Sequence, residues 1–373
     1  MIGNNIKLLM DEASLSIRKM AEIINVTHPT MSKYINGSQI IDSEKLMIVA
    51  KYFDKDFDYF FSKEHDDFPI MFRADKPSRN VVDSDYNYIL SRIKEYNSVI
   101  DNKVVFVPQR YDLNVTDKLT EEKEAIIERI ALDQRRTFNI ENYIPDNYFN
   151  TISQAGINVI CFHIDNKDLF GASSYSDKLG SFIFINANNK ISQERQEFSL
   201  VHELGHLLFH RNEYLNPQHD PYYKTTRGDV REKVANAFAG YFMLPRDLVF
   251  NFIKEKEVRN EEVLVLQMKK YFRVSIQSLY LMLHKYGLIT RETYTDFWRK
   301  VNSKGYLKKE PSPLDHLSFE KANKKLCEKL KELYINDDIS INKISEVLDK
   351  DIIEVRRMVK NWSNKNDEFK ITL

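Results

Sequence analysis

The apolar residues in the first 61 positions recur every three or four residues, in four short stretches separated by polar turns. Because residues at this spacing share one face of a helix, each stretch predicts a short amphipathic helix. Ser16 and Thr27 precede the second and third stretches as candidate N-caps, and Asn36-Gly37 is a typical end for the third. A short helix, a tight turn and another short helix within such a bundle is the arrangement of a helix-turn-helix domain. Met31, Tyr34 and Ile35 are predicted to face inward. The other apolar residues of the four helices are Ile6, Leu9, Met10, Ile17, Met20, Ala21, Ile24, Leu46, Ile48, Val49 and Tyr52.

Beyond residue 61 the spacing of the apolar residues changes. Residues 62–85 are polar with two prolines, which predicts a linker, and the stretches YNYILSRIKEY and EEKEAIIERIALDQRRTF predict helices. From about residue 136, GINVICFHI and SFIFINA are β-rich runs bounded by turn residues, with GASSYSDKLG between them. Two or three strands, followed by a helix at QEFSLVHELGHLLFHR, residues 196–211, predict a small α+β core.

The length of 373 residues exceeds that of one typical domain and predicts two or three. A hydrophobic fraction of 42% is enough for sizeable cores and excludes wholesale disorder. Lys plus Arg and Asp plus Glu both number 55, so no overall basic charge indicates binding to nucleic acid or to a membrane surface. Any contact with DNA must come from a local surface.

The two cysteines, Cys161 and Cys327, lie far apart in the sequence and form no CxxC pair. A disulfide scaffold and a cysteine zinc site are therefore not expected, and a reducing compartment fits. The start, MIGNNIKLLMDEASLS, has no long apolar run before charges appear, so no signal peptide is expected. No apolar run is long enough to cross a bilayer. We expect a soluble cytoplasmic protein that does not bind membranes.

The stretch HELGH, residues 202–206, carries candidate metal chemistry. His202 and His206 are four residues apart on a predicted helix, so both imidazoles lie on one face and can bind one metal ion. Glu203 lies beside the first ligand, where it can act as the general base for a water molecule and later pass the proton to a leaving amine. The alternative is an ordinary helix that contains this five-residue pattern by chance.

A third ligand would separate these two interpretations. The best candidate is Glu232, in the predicted helix DVREKVANAFAGYFMLP at residues 229–245. From this second helix its carboxylate can reach across to His202 and His206. Asn236, one turn further on, is placed to orient one of the histidines by a hydrogen bond.

Other polar residues near HELGH have two interpretations each. His210 extends the histidine face of the helix, either as a helix-end cap, which we favour, or as a fourth ligand. His219, Tyr222 and Tyr223 follow in the loop NPQHDPYYKTTRGD, where they either line the cleft or are ordinary loop residues.

FSLVHELGHLLFH together with EKVANAFAGYFMLP resembles the ImmA/IrrE family of zinc-dependent peptidases. The family pattern is a HELGH helix followed by an ExxAN-x-FA helix. The preceding FIFIN and the following FRVSIQSLYLMLHKYGLI fit as well, so the resemblance covers about residues 120–290. It implies a zincin-like core that binds one Zn²⁺ per chain through His202, His206 and Glu232, with Glu203 as the base. Family members are site-specific endopeptidases that cut a repressor protein, often after DNA damage or another signal.

SIRKMAEIINVTHPTMSKYINGSQIIDSEKLMIVAKYF resembles the Xre family of phage-repressor-like domains over about 60 residues. The resemblance makes the third helix the recognition helix, with His28, Thr30, Lys33 and Asn36 as the side chains that face double-stranded DNA. The domain has seven Lys or Arg and eight Asp or Glu, whereas DNA-binding proteins draw much of their affinity from phosphate contacts. A small helical bundle that docks a protein partner is the alternative.

The prolines and charges of KKEPSPLDH, residues 308–316, predict a linker. The residues after this linker are predicted to be helical. FEKANKKLCEKLKELYI predicts a basic amphipathic helix, and ISINKISEVLDKDIIEVRRMVKNW predicts two short helices about an Asp-Lys-Asp turn. These two helices form either a second helix-turn-helix, with Arg356, Arg357 and Lys360 on its outer face, or a packing or dimerisation appendage, which we favour.

Together these features predict a mostly α-helical chain with a small α+β catalytic core. We expect a helix-turn-helix domain at residues 1–61, a linker and helices at 62–119, and a zincin-like metallopeptidase core at 120–250. A helical, helix-turn-helix-like subdomain at 251–307 and a C-terminal helical appendage at 308–373 complete the chain.

The expected function is that of a zinc-dependent site-specific endopeptidase with its own DNA-binding module. It would cleave a partner transcriptional repressor in a switch linked to stress or to a mobile element. One alternative is a DNA-binding transcriptional regulator whose peptidase-like domain is a sensor or protein-interaction module with little turnover. Another is an interaction module of a toxin–antitoxin or phage-defence pair. A homodimer is compatible with each of these.

Overall fold

The structure of the protein is a computed structural model that divides the chain into two compact units, Met1–Phe68 and Pro69–Leu373. Each unit has its own hydrophobic core. None of the described helices is long and apolar enough to span a membrane. The structure describes residues 2–13, 15–53, 55, 57–61, 70–74, 83–100, 108–111, 113, 118–177, 179–211, 229–256, 261–306 and 310–370.

The first unit is a bundle of short helices: α1 (Ile2–Glu12), α2 (Ile17–Ile23), α3 (His28–Ile35), α4 (Ser43–Tyr52) and a 3₁₀ helix (Phe57–Phe61). The side chains of Ser16 and Thr27 accept hydrogen bonds from the backbone N–H groups three residues later, which confirms both predicted N-caps. Between α2 and α3, Asn25 takes the left-handed conformation with a φ of 53°, which asparagine tolerates better than most residues. The apolar faces meet around Met20 and Met31, both 0% exposed.

The second unit contains a four-stranded sheet with strands β1 (Ile70–Ala74), β2 (Asn158–Phe162), β3 (Leu169–Ser176) and β4 (Gly180–Asn186). The order across the sheet is β1-β3-β4-β2. β2 runs parallel to β4, whereas β3 is antiparallel to both β1 and β4. Every residue of β2 and β4 is buried, as the apolar runs NVICF and GSFIFIN require.

Two of these strands differ from the sequence-based expectation. β1 lies in the stretch expected to be a linker, where five residues pair with β3 at the edge of the sheet. β3 lies in the Gly- and Ser-rich stretch expected to connect strands. Packing favours glycine at position 171, since a Cβ there would lie 3.2 Å from the Phe184 carbonyl oxygen and 3.3 Å from Cγ of Glu203. Close packing here overrides the low strand propensity of glycine.

The second unit also contains the helices α5 (Asp83–Val99), α6 (Glu121–Thr137), α7 (Tyr148–Gln154), α8 (Gln193–Phe209), α9 (Val230–Met243), α10 (Arg246–Glu255), α11 (Glu261–Phe272), α12 (Ile276–Lys285) and α13 (Arg291–Lys304). The buried helix α8 packs against β3, β4 and α9. Lys269, which is 0% exposed, forms an ion pair with Glu194, and Nε of Arg273 donates a 2.8 Å hydrogen bond to Glu197. Since a buried charge is costly unless it is paired, these two contacts fix the first half of α8.

After α13 the described residues form the helices α14 (Phe319–Ala322), α15 (Lys324–Ile335), α16 (Ile341–Leu348) and α17 (Ile352–Lys370). The segment before them, expected to be a linker, is bound to the start of α8. The backbone N–H groups of Leu314 and Leu317 donate 3.0 Å hydrogen bonds to Glu194 and Gln193. The predicted fold class, a mostly helical chain with an N-terminal helix-turn-helix bundle and a small α+β core, is confirmed.

Candidate metal centre and DNA-facing helix

The position of α9 against α8 depends on Gly205. A Cβ at this residue would lie 3.2 Å from Cα of Ala235 and 3.2 Å from Cδ1 of Phe238, both on α9. Such distances are shorter than most side-chain contacts, so the two helices approach this closely because Gly205 has no side chain. The close approach brings the first turn of α9 next to the histidine face of α8.

His202, His206 and Glu232 meet at this junction. Nε2 of His202 and Nε2 of His206 are 3.0 Å apart. The Glu232 carboxylate lies 3.4 Å from Nε2 of His202 and 3.2 Å from Nε2 of His206. Both histidines are buried, and the Glu232 side chain is 19% exposed. The structure therefore brings together the three residues that the sequence analysis selected as metal ligands.

Hydrogen bonds orient both imidazole rings. Nδ1 of His202 lies 3.0 Å from Oδ1 of Asn236, and because an amide oxygen only accepts, Nδ1 carries the proton. Nδ1 of His206 lies 2.9 Å from Nδ1 of His210, the residue that ends α8. Burial lowers the pKa of His210 well below its ordinary value, and the nearby His206 acts in the same direction. His210 is therefore a neutral partner of His206, which the sequence analysis considered only as a cap or a fourth ligand.

The three donors fit a tetrahedral divalent ion. Ligands about 2.0–2.1 Å from such an ion lie roughly 3.3 Å from one another, and the observed separations are 3.0, 3.2 and 3.4 Å. Burial alone would raise the pKa of Glu232, but hydrogen bonds and charge interactions with His202 and His206 outweigh it and lower the pKa, so the carboxylate is ionised. Two imidazole nitrogens and one carboxylate form a common metal-binding set that leaves a fourth position open.

Glu203 lies beside this set without belonging to it. Its side chain is 1% exposed, and Oε2 accepts a hydrogen bond from the hydroxyl group of Ser173 on β3. Gly171, two residues earlier on the same face of the strand, leaves space for the Glu203 methylenes. Ser173 could not be predicted from the sequence, because nothing in the local pattern relates it to α8.

The four residues expected to face DNA lie on or next to α3. His28, Lys33 and Asn36 are exposed, and Thr30 is half-buried, with its hydroxyl oxygen 2.8 Å from that of Thr27. The side chain of Asn36 accepts a hydrogen bond from the Ser38 N–H. His219, Tyr222 and Tyr223, which were considered for the cleft, lie outside the described residues.

Comparison with known proteins identifies both domains. Residues 152–284 match the peptidase M78 family model, described as the IrrE N-terminal-like domain, and residues 6–60 match a helix-turn-helix model. Uncharacterized HTH-type transcriptional regulators of Rickettsia conorii and Rickettsia prowazekii are each 37% identical to the chain over 60 residues. This covers 16% of the chain and 48% and 46% of the relatives, so the chain spans about half the length of the curated relatives it matches. The chain thus carries a helix-turn-helix domain of the DNA-binding type and an IrrE-like M78 domain, and the predicted resemblance to both families is confirmed.

Proposed function

We propose that this chain, with its IrrE-like and helix-turn-helix domains, is a zinc-dependent endopeptidase that also binds DNA. The observation that carries the proposal is the junction of α8 and α9, where two imidazole nitrogens and an ionised carboxylate converge next to a buried glutamate. In this proposal His202, His206 and Glu232 hold the zinc ion, and Glu203 is the catalytic residue.

The residues around the site have distinct tasks in peptide hydrolysis. A bound zinc ion would lower the pKa of a water molecule and polarise the peptide carbonyl. Glu203 takes the proton from the attacking water and delivers it to the leaving amine. Ser173 holds the Glu203 carboxylate in one orientation, and Asn236 and His210 hold the two imidazoles. Glu203 also favours a catalytic site over a structural metal site, which needs no general base.

We infer that the substrate is a partner transcriptional repressor and that α3 binds double-stranded DNA in the major groove. The DNA-binding domain in the same chain supports this inference, because it would bring the peptidase to sites where a repressor is bound. The names of the two relatives, both HTH-type transcriptional regulators, favour a second candidate function. In that case the chain is itself a regulator, and its metal domain senses a signal with little turnover.

Metal content tests the centre directly. Elemental mass spectrometry on the wild type, Glu203→Gln and Glu232→Ala should give about one zinc per chain for the first two and a large loss for the third. Glu203→Gln is the matched control, because it changes a neighbouring carboxylate that is not in the ligand set. A wild type without metal after incubation with zinc would overturn the proposal.

Peptide hydrolysis is tested by mapping new protein N-termini in cells that express the wild type or Glu203→Gln. If the chain is an endopeptidase, new N-termini from a DNA-binding protein should appear only in cells that express the wild type. Identical N-termini in both strains, with zinc bound to both proteins, would favour the regulator with a sensing domain.

A further inference from the structure

Residues 340–360 repeat the architecture of the N-terminal helix-turn-helix. Ser340 aligns with Ser16, and the alignment runs without insertion to Lys360, which aligns with Asn36. Only four of the 21 aligned residues are identical, so the sequence alone left this segment open between a second helix-turn-helix and a packing appendage.

The backbone of the two segments matches at each turn. The hydroxyl groups of Ser16 and Ser340 begin α2 and α16 by accepting hydrogen bonds from the N–H three residues later, over 3.2 and 3.1 Å. Asn25 and Asp349 then take the left-handed conformation, with φ of 53° and 50°. The next residue closes both turns with the same hydrogen bond to the carbonyl five residues back, over 2.9 and 3.1 Å.

The cores match as well. Three helices contribute buried apolar residues at equivalent positions in each segment. These are α1, α2 and α3 in the N-terminal domain and α15, α16 and α17 in the second unit. These residues are all 0% or 1% exposed, so the buried apolar positions of the two segments coincide. The pairs are Ile6 and Leu330, Met20 and Ile344, Ile24 and Leu348, and Met31 and Val355.

Helix α5 supports α16 and its turn. The hydroxyl group of Tyr88 donates a 2.7 Å hydrogen bond to Asp349, and Nη1 of Arg92 donates a 2.9 Å hydrogen bond to the carbonyl oxygen of Glu346. These contacts hold the turn, and they leave the outer face of α17 exposed. The appendage is therefore packed through α16, while α17 presents a surface.

That surface is basic. Arg356, Arg357 and Lys360 are all exposed, and within the described part of the chain no carboxylate forms an ion pair with them. Arg357 takes the place of Lys33, and Lys360 that of Asn36, two of the positions expected to face DNA in the N-terminal domain. Glu354 takes the place of Thr30, a third such position, and its carboxylate forms an ion pair with Lys350.

We propose that α15–α17 is a second DNA-binding element, with α17 in the major groove of double-stranded DNA and these three cations on its phosphates and base edges. The charge distinguishes DNA from a second copy of this chain as the occupant. The cores of protein interfaces are depleted of charge, whereas DNA-binding surfaces require it. The proposal is independent of whether the metal centre hydrolyses peptides.

The test is the salt dependence of binding to a duplex of random sequence, about 30 base pairs or roughly three helical turns long. Fluorescence anisotropy is measured on the full chain and on Arg356→Ala/Arg357→Ala/Lys360→Ala, each with and without Thr30→Ala/Lys33→Ala in the N-terminal domain. In both backgrounds the triple variant should bind more weakly, with a plot of log affinity against log salt that is shallower by about 2–3.

A matched control removes three other exposed lysines in Lys254→Ala/Lys256→Ala/Lys270→Ala, so that net charge changes equally. Circular dichroism is used to check that both triple variants are folded. A salt slope that falls equally in the two triple variants, or in neither, would overturn the proposal. The proposal would also be overturned if Arg356→Ala/Arg357→Ala/Lys360→Ala left DNA binding unchanged and altered only the sedimentation coefficient of the protein. In that case α17 would be a self-association surface.

Discussion

Ser173 donates its hydroxyl hydrogen to Oε2 of Glu203 across 30 positions of sequence, from β3 to α8. Both side chains are 1% exposed, so this hydrogen bond is shielded from water. In a buried site a hydrogen bond from a fixed donor helps to determine which way a carboxylate faces. The contact therefore makes Ser173 a positioning residue for the proposed base.

Ser173→Ala should reduce kcat by about 10–100-fold, since outer partners of metal-site residues have effects of this size. KM and zinc content should not change, because the substitution leaves the three ligands in place. Ser174→Ala is the matched control: it is equally buried on the same strand, but alternation directs its side chain to the opposite face. Equal losses of kcat in the two variants, measured on a substrate found by N-terminal mapping, would contradict the assignment.

Asn236→Ala should weaken zinc binding by about 10–100-fold, because His202 loses the acceptor that fixes its ring and its tautomer. Asn236→Asp keeps an oxygen acceptor at the same position and should retain tight binding. Competition with a chelator of known zinc affinity measures both. If the two variants bind zinc equally, the hydrogen bond does not orient the ligand.

Gly205→Ala should lower the free energy of unfolding by about 1–3 kcal/mol, the usual effect of overpacking. The new methyl group would meet the backbone Cα of Ala235 on α9, which cannot rotate away, and the ring of Phe238. Gly240→Ala is the control, since the nearest atom there is the flexible Met282 sulfur at 2.9 Å. Urea unfolding should show the larger loss for Gly205→Ala, together with weaker zinc binding as Glu232 moves from the histidines. A larger loss of unfolding free energy for Gly240→Ala would show that α8 and α9 can move apart to accommodate a methyl group at position 205.

Lys33→Ala should weaken DNA binding and make the plot of log affinity against log salt shallower by about one, if Lys33 contacts a phosphate. Zinc content should be unchanged, because the substitution lies in the first unit. Lys51→Ala removes the same charge from α4 and serves as the comparison. If the two substitutions reduce DNA affinity equally, the loss results from overall charge, and α3 is not the specific contact with DNA.

Much of the fold follows from local sequence patterns. Helical spacing and capping residues are local properties, so α1–α4, α8 and α9 were predictable from the chain. The strands β1 and β3 were not, because pairing with a neighbour and the space beside Glu203 decide their conformation. Strand formation in these two segments depends on contacts that are distant in sequence.

By itself the sequence determined which side chains share a face: His202 and His206 on one helix, and Arg356, Arg357 and Lys360 on another. It did so because the period of a helix is fixed by its backbone hydrogen bonds. Only the tertiary structure decided the rest. It brought the Glu232 carboxylate within 3.4 Å of both imidazoles, and it made Ser173 the partner of Glu203. Such distances depend on how closely elements pack, which is a property of the whole core and not of any one segment.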